Sequence, residues 1–314
     1  MANFITKIEG NLTQSRKVAK PQRFHIGLIN SPYFCLTFAT LRLCVFALIL
    51  PIYVTAQKVA VLTPDKSDVS HAFAEKLETS LSEKLKIFDD SLSESAYLSI
   101  LPAAPFNLTT HESKRIGSAI GCDIFILMRV AVQRRSSFQR PEYYESYAEI
   151  YVVSSRTGRL VFWKLQRFES ERPEKSDKML ADSVASLASE ITDKIRTAIK
   201  GELAEPDPTA MEELPDENST AAKNFRAPIP YRRIKPDYTA EASLYRTEAT
   251  VELQVDLDAK GVILKTEVVR WAGFGLDESV DKAVRSMNWR PAMRDGKPLP
   301  MRFLVRYNFK KLEQ

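Results

Sequence analysis

From residue 57 onward, the hydrophobic positions switch between short apolar runs and four-residue repeats. Lys58-Val-Ala-Val-Leu62 is an apolar run closed by Pro64, the form of a buried strand. Phe73, Leu77, Leu81 and Leu85 then recur at every fourth residue with Lys, Glu and Ser between them, which predicts an amphipathic helix. Ile87-Phe88 reads as a second short strand. Thr109 or Thr110 is placed to cap a helix that Gly121 can end. Residues 123–132 read as a buried strand, and residues 147–153 and 160–168 flank Arg156-Thr-Gly-Arg159 as a hairpin. Leu180, Val184, Leu187, Ile191 and Ile195 form one stripe of a long helix. This order predicts an α/β domain with a mixed sheet over residues 57–203.

A sharper pattern follows. Val251, Leu253, Val255 and Leu257 alternate with Glu252, Gln254, Asp256 and Asp258, a strand with one wet face. Asp258-Ala-Lys-Gly261 is a turn, and a second strand runs from Val262 to about Trp271, where Gly273 and Gly275 break it. Asp277 and Glu278 sit where the first turn of a helix has free N–H groups. Leu276, Val280, Val284 and Met287 give that helix a core-facing stripe, with Pro291 expected to stop it. Met301, Phe303, Val305, Tyr307 and Phe309 alternate with Arg302, Leu304, Arg306, Asn308 and Lys310 as a last strand. Residues 228–314 are therefore expected to fold as ββαβ with a helix on one face. The whole chain is α+β.

Between these domains, residues 204–227 carry Glu205, Asp207, Glu212, Glu213, Asp216 and Glu217 with Pro206, Pro208 and Pro215. The stretch is too polar to bury much surface and reads as an acidic, proline-containing linker. Ahead of residue 57 lies the run 34–56, apolar apart from Arg42 and a few hydroxyls. It follows a tail (1–33) in which Lys7, Arg16, Lys17, Lys20 and Arg23 face Glu9 alone, the charge bias of a cytoplasmic flank. The run is long enough to span a bilayer as an anchor. It also reads as a signal peptide, with Leu43 to Leu50 as the h-region and Val54-Thr55-Ala56 offering small residues for cleavage. Both readings export everything after Gln57.

The net charge of +5 is too small and too dispersed for a nucleic-acid binder. Of three cysteines only Cys122 lies in the exported part, so its fold rests on its cores and no disulfide. Catalytic constellations are scarce. His25, His71 and His111 are the only histidines, and the latter two fall at helix starts. There is no G-x-S-x-G, no phosphate-binding Walker loop, and too few Cys and His for a zinc site. Asp89-Asp90 reads as a metal-binding pair or a strand-end turn, and Phe138 with Tyr143-Tyr144 as a partner patch or loop anchors. No enzyme, cofactor or metal is expected.

The C-terminal string closely resembles the TonB C-terminal family. It carries Pro236-Asp-Tyr238 with Ala240-Glu-Ala242, Asp258-Ala-Lys-Gly261, Gly273-Phe-Gly-Leu-Asp-Glu278, Ala283-Val284, Trp289-Arg-Pro-Ala292 and Asp295-Gly-Lys-Pro298, in the family's order and spacing. The resemblance implies a periplasmic module that adds a partner's extended segment to its sheet edge, main-chain bonds giving affinity and side chains selecting the sequence. Carried over, the edge is the last strand, with Arg302, Leu304, Arg306 and Asn308 toward the partner and Pro236 and Tyr238 nearby. Arg302 and Arg306 equally suit a purely protective role, blocking edge-to-edge aggregation. Trp289 and Pro291 suit core packing and helix termination. Implied partners are an outer-membrane transporter or other envelope proteins, an ExbB/ExbD-type inner-membrane complex, and a second copy in a homodimer.

Two departures limit what the resemblance carries. Residues 34–56 hold no histidine, and the linker is short, so docking is better supported than energy coupling. A weaker resemblance links residues 57–203 to the curli-secretion lipoprotein family (CsgG) and to TolB N-terminal domains. It rests on Val59-Ala-Val-Leu62, Phe73-Ala74, Ile120-Gly-Cys-Asp123 and Arg156-Thr-Gly158, and implies an envelope assembly domain without catalytic residues. The alternative function is thus an envelope assembly or structural factor acting through the first domain.

Overall fold

The computed structural model describes residues 57–205, 211–216 and 218–310. The expected tail (1–33), the signal peptide or anchor (34–56) and residues 206–210 of the expected linker lie outside these. No helix among the described residues is long and apolar enough to cross a membrane.

The first lobe is a five-stranded sheet of order β2-β1-β3-β4-β5, built from β1 (Lys58–Leu62), β2 (Lys86–Ile87), β3 (Ile124–Arg135), β4 (Tyr143–Ser154) and β5 (Leu160–Ser170). β1 pairs parallel with β2 and β3, while β3, β4 and β5 are antiparallel, so the sheet is mixed as its pattern predicts. The central strands β1 and β3 are covered on both faces, which is why they read as continuous apolar runs. On one face, α1 (Asp68–Ser82) and α5 (Val184–Ala204) bring Phe73, Leu77, Leu81, Leu187 and Ile191 onto Val59, Val61, Ile126 and Ile150. On the other, α2 (Asp90–Ile100) and α3 (Thr110–Ile120) place Tyr97 and Ile116 against Leu62, Phe125, Leu127 and Tyr151.

Two local features differ from the patterned expectation, and a third follows it. α2 has no apolar stripe, since only Ser93 and Tyr97 of it are buried; Asp89 starts it by accepting the Leu92 N–H at 3.1 Å. The Asp89-Asp90 pair is therefore a helix start. The stripe from Leu180 to Ile195 is shared by α4 (Pro173–Asp182) and α5, divided at Ser183. Ser183 stays in the αR region (φ −80°, ψ −9°), so the break does not disturb the phase of the stripe. α3 follows its expectation closely: Thr109 and Glu112 form a reciprocal capping box, and Gly121 closes the helix at φ 80°.

The second lobe holds the antiparallel sheet β13-β8-β9, from β8 (Ala249–Leu257), β9 (Ile263–Arg270) and β13 (Met301–Phe309), with α7 (Leu276–Arg285) packed on one face. Val251, Leu253, Val255 and Leu257 meet Leu276, Val280 and Val284 there. Small pairs flank this sheet: β6 (Phe225–Arg226) with β11 (Ala292–Arg294), β7 (Ile229–Pro230) with β10 (Trp289–Arg290), and β11 with β12 (Lys297–Leu299). A six-residue helix, α6 (Ala240–Tyr245), precedes β8. Pro291 does not stop α7. That helix ends at Arg285, where the Ser286 N–H turns back to Lys282 and Ala283 and the Met287 N–H to Val284; Pro291 instead separates β10 from β11.

The lobes share one hydrophobic cluster. The Tyr151 and Trp271 rings lie 5.4 Å apart, and those of Trp163 and Phe274 4.8 Å apart. Asn107 laces the seam: its amide NH2 donates to the carbonyls of Thr250 (2.8 Å) and Trp271 (2.7 Å), and its oxygen accepts the Thr250 N–H (3.0 Å). α6 docks from the second lobe, where the Tyr245 hydroxyl donates to the buried Glu145 carboxylate at 2.6 Å, which also accepts from Arg135 at 2.7 Å.

Candidate functional site

A sheet binds a new strand only where an edge leaves N–H and C=O groups unpaired. The second lobe has two edges, β9 and β13. β9 is covered by the first lobe: Arg270 bridges Thr109, and the Trp271 N–H reaches the Leu108 carbonyl at 3.2 Å. Ion pairs extend that cover, Arg159 to Glu267 at 2.8 Å and Lys265 to Glu205 at 3.0 Å. The edge left is β13.

The direction of its main-chain groups follows from one bond. The Arg302 N–H donates to the Glu212 carbonyl at 2.8 Å, away from β8. Arg302 and Asp256 are therefore a non-hydrogen-bonded pair of the antiparallel ladder, and alternation makes Leu304–Gln254, Arg306–Glu252 and Asn308–Thr250 the same. So Leu304, Arg306 and Asn308 aim both N–H and C=O outward. The bond from Arg302 belongs to a parallel bridge between Glu213 and Arg302, in which the linker touches the start of this edge.

The side chains of Arg302, Leu304, Arg306 and Asn308 line the face opposite α7. Arg302 makes a two-pronged bond to the buried Asp256 at 2.7 and 2.8 Å, which raises the guanidinium's pKa. Arg306 bonds Glu252 at 2.7 Å, and Arg270 approaches the same carboxylate at 3.5 Å. Asn308 accepts from the Thr250 hydroxyl at 2.8 Å. Leu304 alone of the four is an exposed apolar side chain. The arginines are thus tied to β8 by charge-assisted bonds and present the edges of ion pairs.

Pro236 and Tyr238 sit at the far end of the strand, turned inward. Pro236 is buried. The Tyr238 hydroxyl donates toward the carbonyls of Ala242 and Thr247 at 3.0 Å each, and its ring stacks on Phe309 with centroids 6.2 Å apart. The Tyr307 hydroxyl donates to the Ile234 carbonyl at 3.2 Å. This segment braces the strand end. Trp289 packs against Phe303 with centroids 5.0 Å apart. Glu212 and Glu213 are not distinguishable in the sequence from other linker acids, because their contacts join segments far apart in the chain.

Elsewhere, burial pushes the Cys122 thiol up to about 11, far from a reactive thiolate. The His71 ring lies 3.3 Å from the Thr63 hydroxyl. No group of three or more His, Cys, Asp or Glu able to hold a metal occurs among the described residues. Tyr143 and Tyr144 open β4, and Phe138 is fully exposed before it. A cleft of about 350 Å³ opens at the seam, lined by Arg159, Glu205, Lys265, Glu267, Trp271 and Asp277. Its arginine and lysine are paired with its glutamates. Asp277 accepts the N–H groups of Ala272 and Gly273 at 2.9 Å each, yet burial pushes its carboxyl up to about 7.

The second lobe is thus an antiparallel three-stranded sheet with one helix on one face and one edge, β13, that the first lobe leaves uncovered. Residues 234–311 match the family model of the Gram-negative bacterial TonB protein C-terminal, so the second lobe belongs to the TonB C-terminal domain family. Among solved structures, the chain is similar to the Pseudomonas aeruginosa TonB C-terminal domain (20% identity, covering 34% of this chain and 99% of that one, TM-score 0.26). It is also similar to lipoprotein GNA1162 from Neisseria meningitidis (13% identity, 44% and 99% covered, TM-score 0.31). A third is the LpoB C-terminal domain from Salmonella enterica (12% identity, 40% and 93% covered, TM-score 0.25). No curated protein matches the chain.

Proposed function

We propose that the protein is a periplasmic docking factor that grips an extended segment of an envelope partner, such as an outer-membrane transporter, by adding it to β13. The observation that carries this reading is the run of outward main-chain groups at Leu304, Arg306 and Asn308 on the one edge of the second-lobe sheet not covered by the first lobe. Affinity comes from main-chain bonds, and Leu304 with the rims of the Arg302–Asp256 and Arg306–Glu252 pairs selects the sequence. The function is binding and not catalysis. The first lobe acts as the spacer and support that closes the β9 edge, which makes the β13 edge the direction of approach. Export and anchoring by residues 34–56, and coupling to an inner-membrane complex, belong to this proposal as its outer reach.

The test uses proline as an edge-selective probe. Leu304→Pro removes an outward N–H, leaving the bonds to β8 intact, because proline is tolerated where its missing donor faces solvent. Full-chain protein is titrated with peptides copying the extended N-terminal segments of outer-membrane transporters. Leu304→Pro should weaken binding about tenfold or more, since one main-chain bond is worth about 1 kcal/mol and the ring obstructs the edge. Leu304→Ala should bind within a few-fold of the native chain. Native-like binding by the proline variant, or no binding by the native chain, would overturn the proposal.

A further inference from the structure

We infer that residues 211–214 are an internal occupant of the docking edge, a short stand-in strand that a partner has to displace. This rests on the strand-addition reading and adds a competitor to it. The linker runs parallel to β13 and takes the first outward donor of the edge, the Arg302 N–H, with the Glu212 carbonyl. Its side chains are matched to the site as well. The Glu212 carboxylate pairs with Arg294 at 2.5 Å, and the Glu213 carboxylate adds its charge beside Arg302, already bonded to Asp256. An acidic strand thus meets two arginines, one from β11 and one from β13.

The occupancy is partial by construction. Pro215 follows directly and cannot donate to a ladder, and among the described residues no other segment pairs with this edge beyond Arg302. Leu304, Arg306 and Asn308 therefore stay open as a foothold for a partner strand. That strand can pair there first and then replace residues 211–214 at Arg302. A tethered segment competes at an effective concentration near the millimolar range, which weakens ligands without abolishing their binding. The chemistry of the stand-in also specifies the competitor best able to replace it: an extended segment carrying carboxylates, entering parallel to β13.

The experiment compares the full native chain with a double variant, Glu212→Lys with Glu213→Lys, which sets lysines against Arg294 and Arg302. Two readouts are taken: hydrogen exchange of the Arg302 amide at single-residue resolution, and titration with a synthetic peptide copying residues 210–216. The expected result is a slow Arg302 amide in the native chain, at least tenfold faster exchange in the variant, and peptide binding at least several-fold tighter to the variant. If the peptide binds both chains equally and Arg302 exchange is unchanged, the edge accepts strands but the linker is not its occupant, and this inference alone falls. If Arg302 exchange responds but the peptide binds neither chain, the edge accepts no strand in trans. Strand addition then fails, and the inference with it.

Discussion

Arg302 and Arg306 look equivalent as alternating basic residues on one strand, but their partners differ. Asp256 is almost wholly buried and, among the described residues, forms its ion pair with Arg302 alone, in a two-pronged bond. Glu252, equally buried, has both Arg306 and Arg270. Arg302→Ala should therefore cost about 2–3 kcal/mol by stranding a buried charge, and Arg306→Ala about 1 kcal/mol or less. Urea midpoints of the two variants check the order; equal losses would contradict it. Asp277 adds a pH dependence. Its unfolded carboxyl titrates near 3.8 and burial lifts the folded value to about 7, so between them the folded form keeps a proton that the unfolded chain releases. This contribution is complete below pH 4 and is lost as pH rises toward 7, amounting to a few kcal/mol. Asp277→Asn should flatten that slope in denaturation measured across pH 4 to 7.

Elements with a strong period were legible because one physical demand fixed them. β1 and β3 are covered on both faces and so are uniformly apolar, and β8 has one wet face and so alternates. α2 was not legible: it buries only Ser93 and Tyr97, so no stripe exists to find. The end of α7 differs from its expectation for a related reason, since proline is a strong stop signal in a string while the helix closes earlier through ordinary turn bonds. Gly273 is a position where sequence and structure agree for different reasons. It breaks β9 as expected, and it also does so at φ 72° with the Trp163 ring so close that an added Cβ would lie 2.5 Å from it. Gly273→Ala should destabilise the chain by several kcal/mol, read as a fall in Tm, because the backbone conformation and the ring contact are both violated. A loss below about 1 kcal/mol would mean the seam yields easily.

At the scale of the molecule, the seam is a continuous core with an amide lacing it. The described residues group as one unit, and the aromatic rings of Tyr151, Trp163, Trp271 and Phe274 interlock across the lobes. One cooperative thermal transition is expected, with near- and far-ultraviolet circular dichroism coinciding; two separated transitions would show that the seam contributes little. Asn107→Ala should cost about 1–3 kcal/mol by orphaning the main-chain groups of Thr250 and Trp271. Limited proteolysis near the seam would register its loosening.

Periodicity alone determined the α+β class, the mixed first sheet and the ββαβ order of the second lobe, because burial of one face or two imposes a period that survives in a string. It also placed Arg302, Leu304, Arg306 and Asn308 on a common face. Which edge stays open was decided only by tertiary structure. β9 is sealed by Thr109, Arg159 and Glu205, and the start of β13 by Glu212, all far away in sequence. Such contacts join main-chain atoms and charges of distant segments, and neither carries a local period.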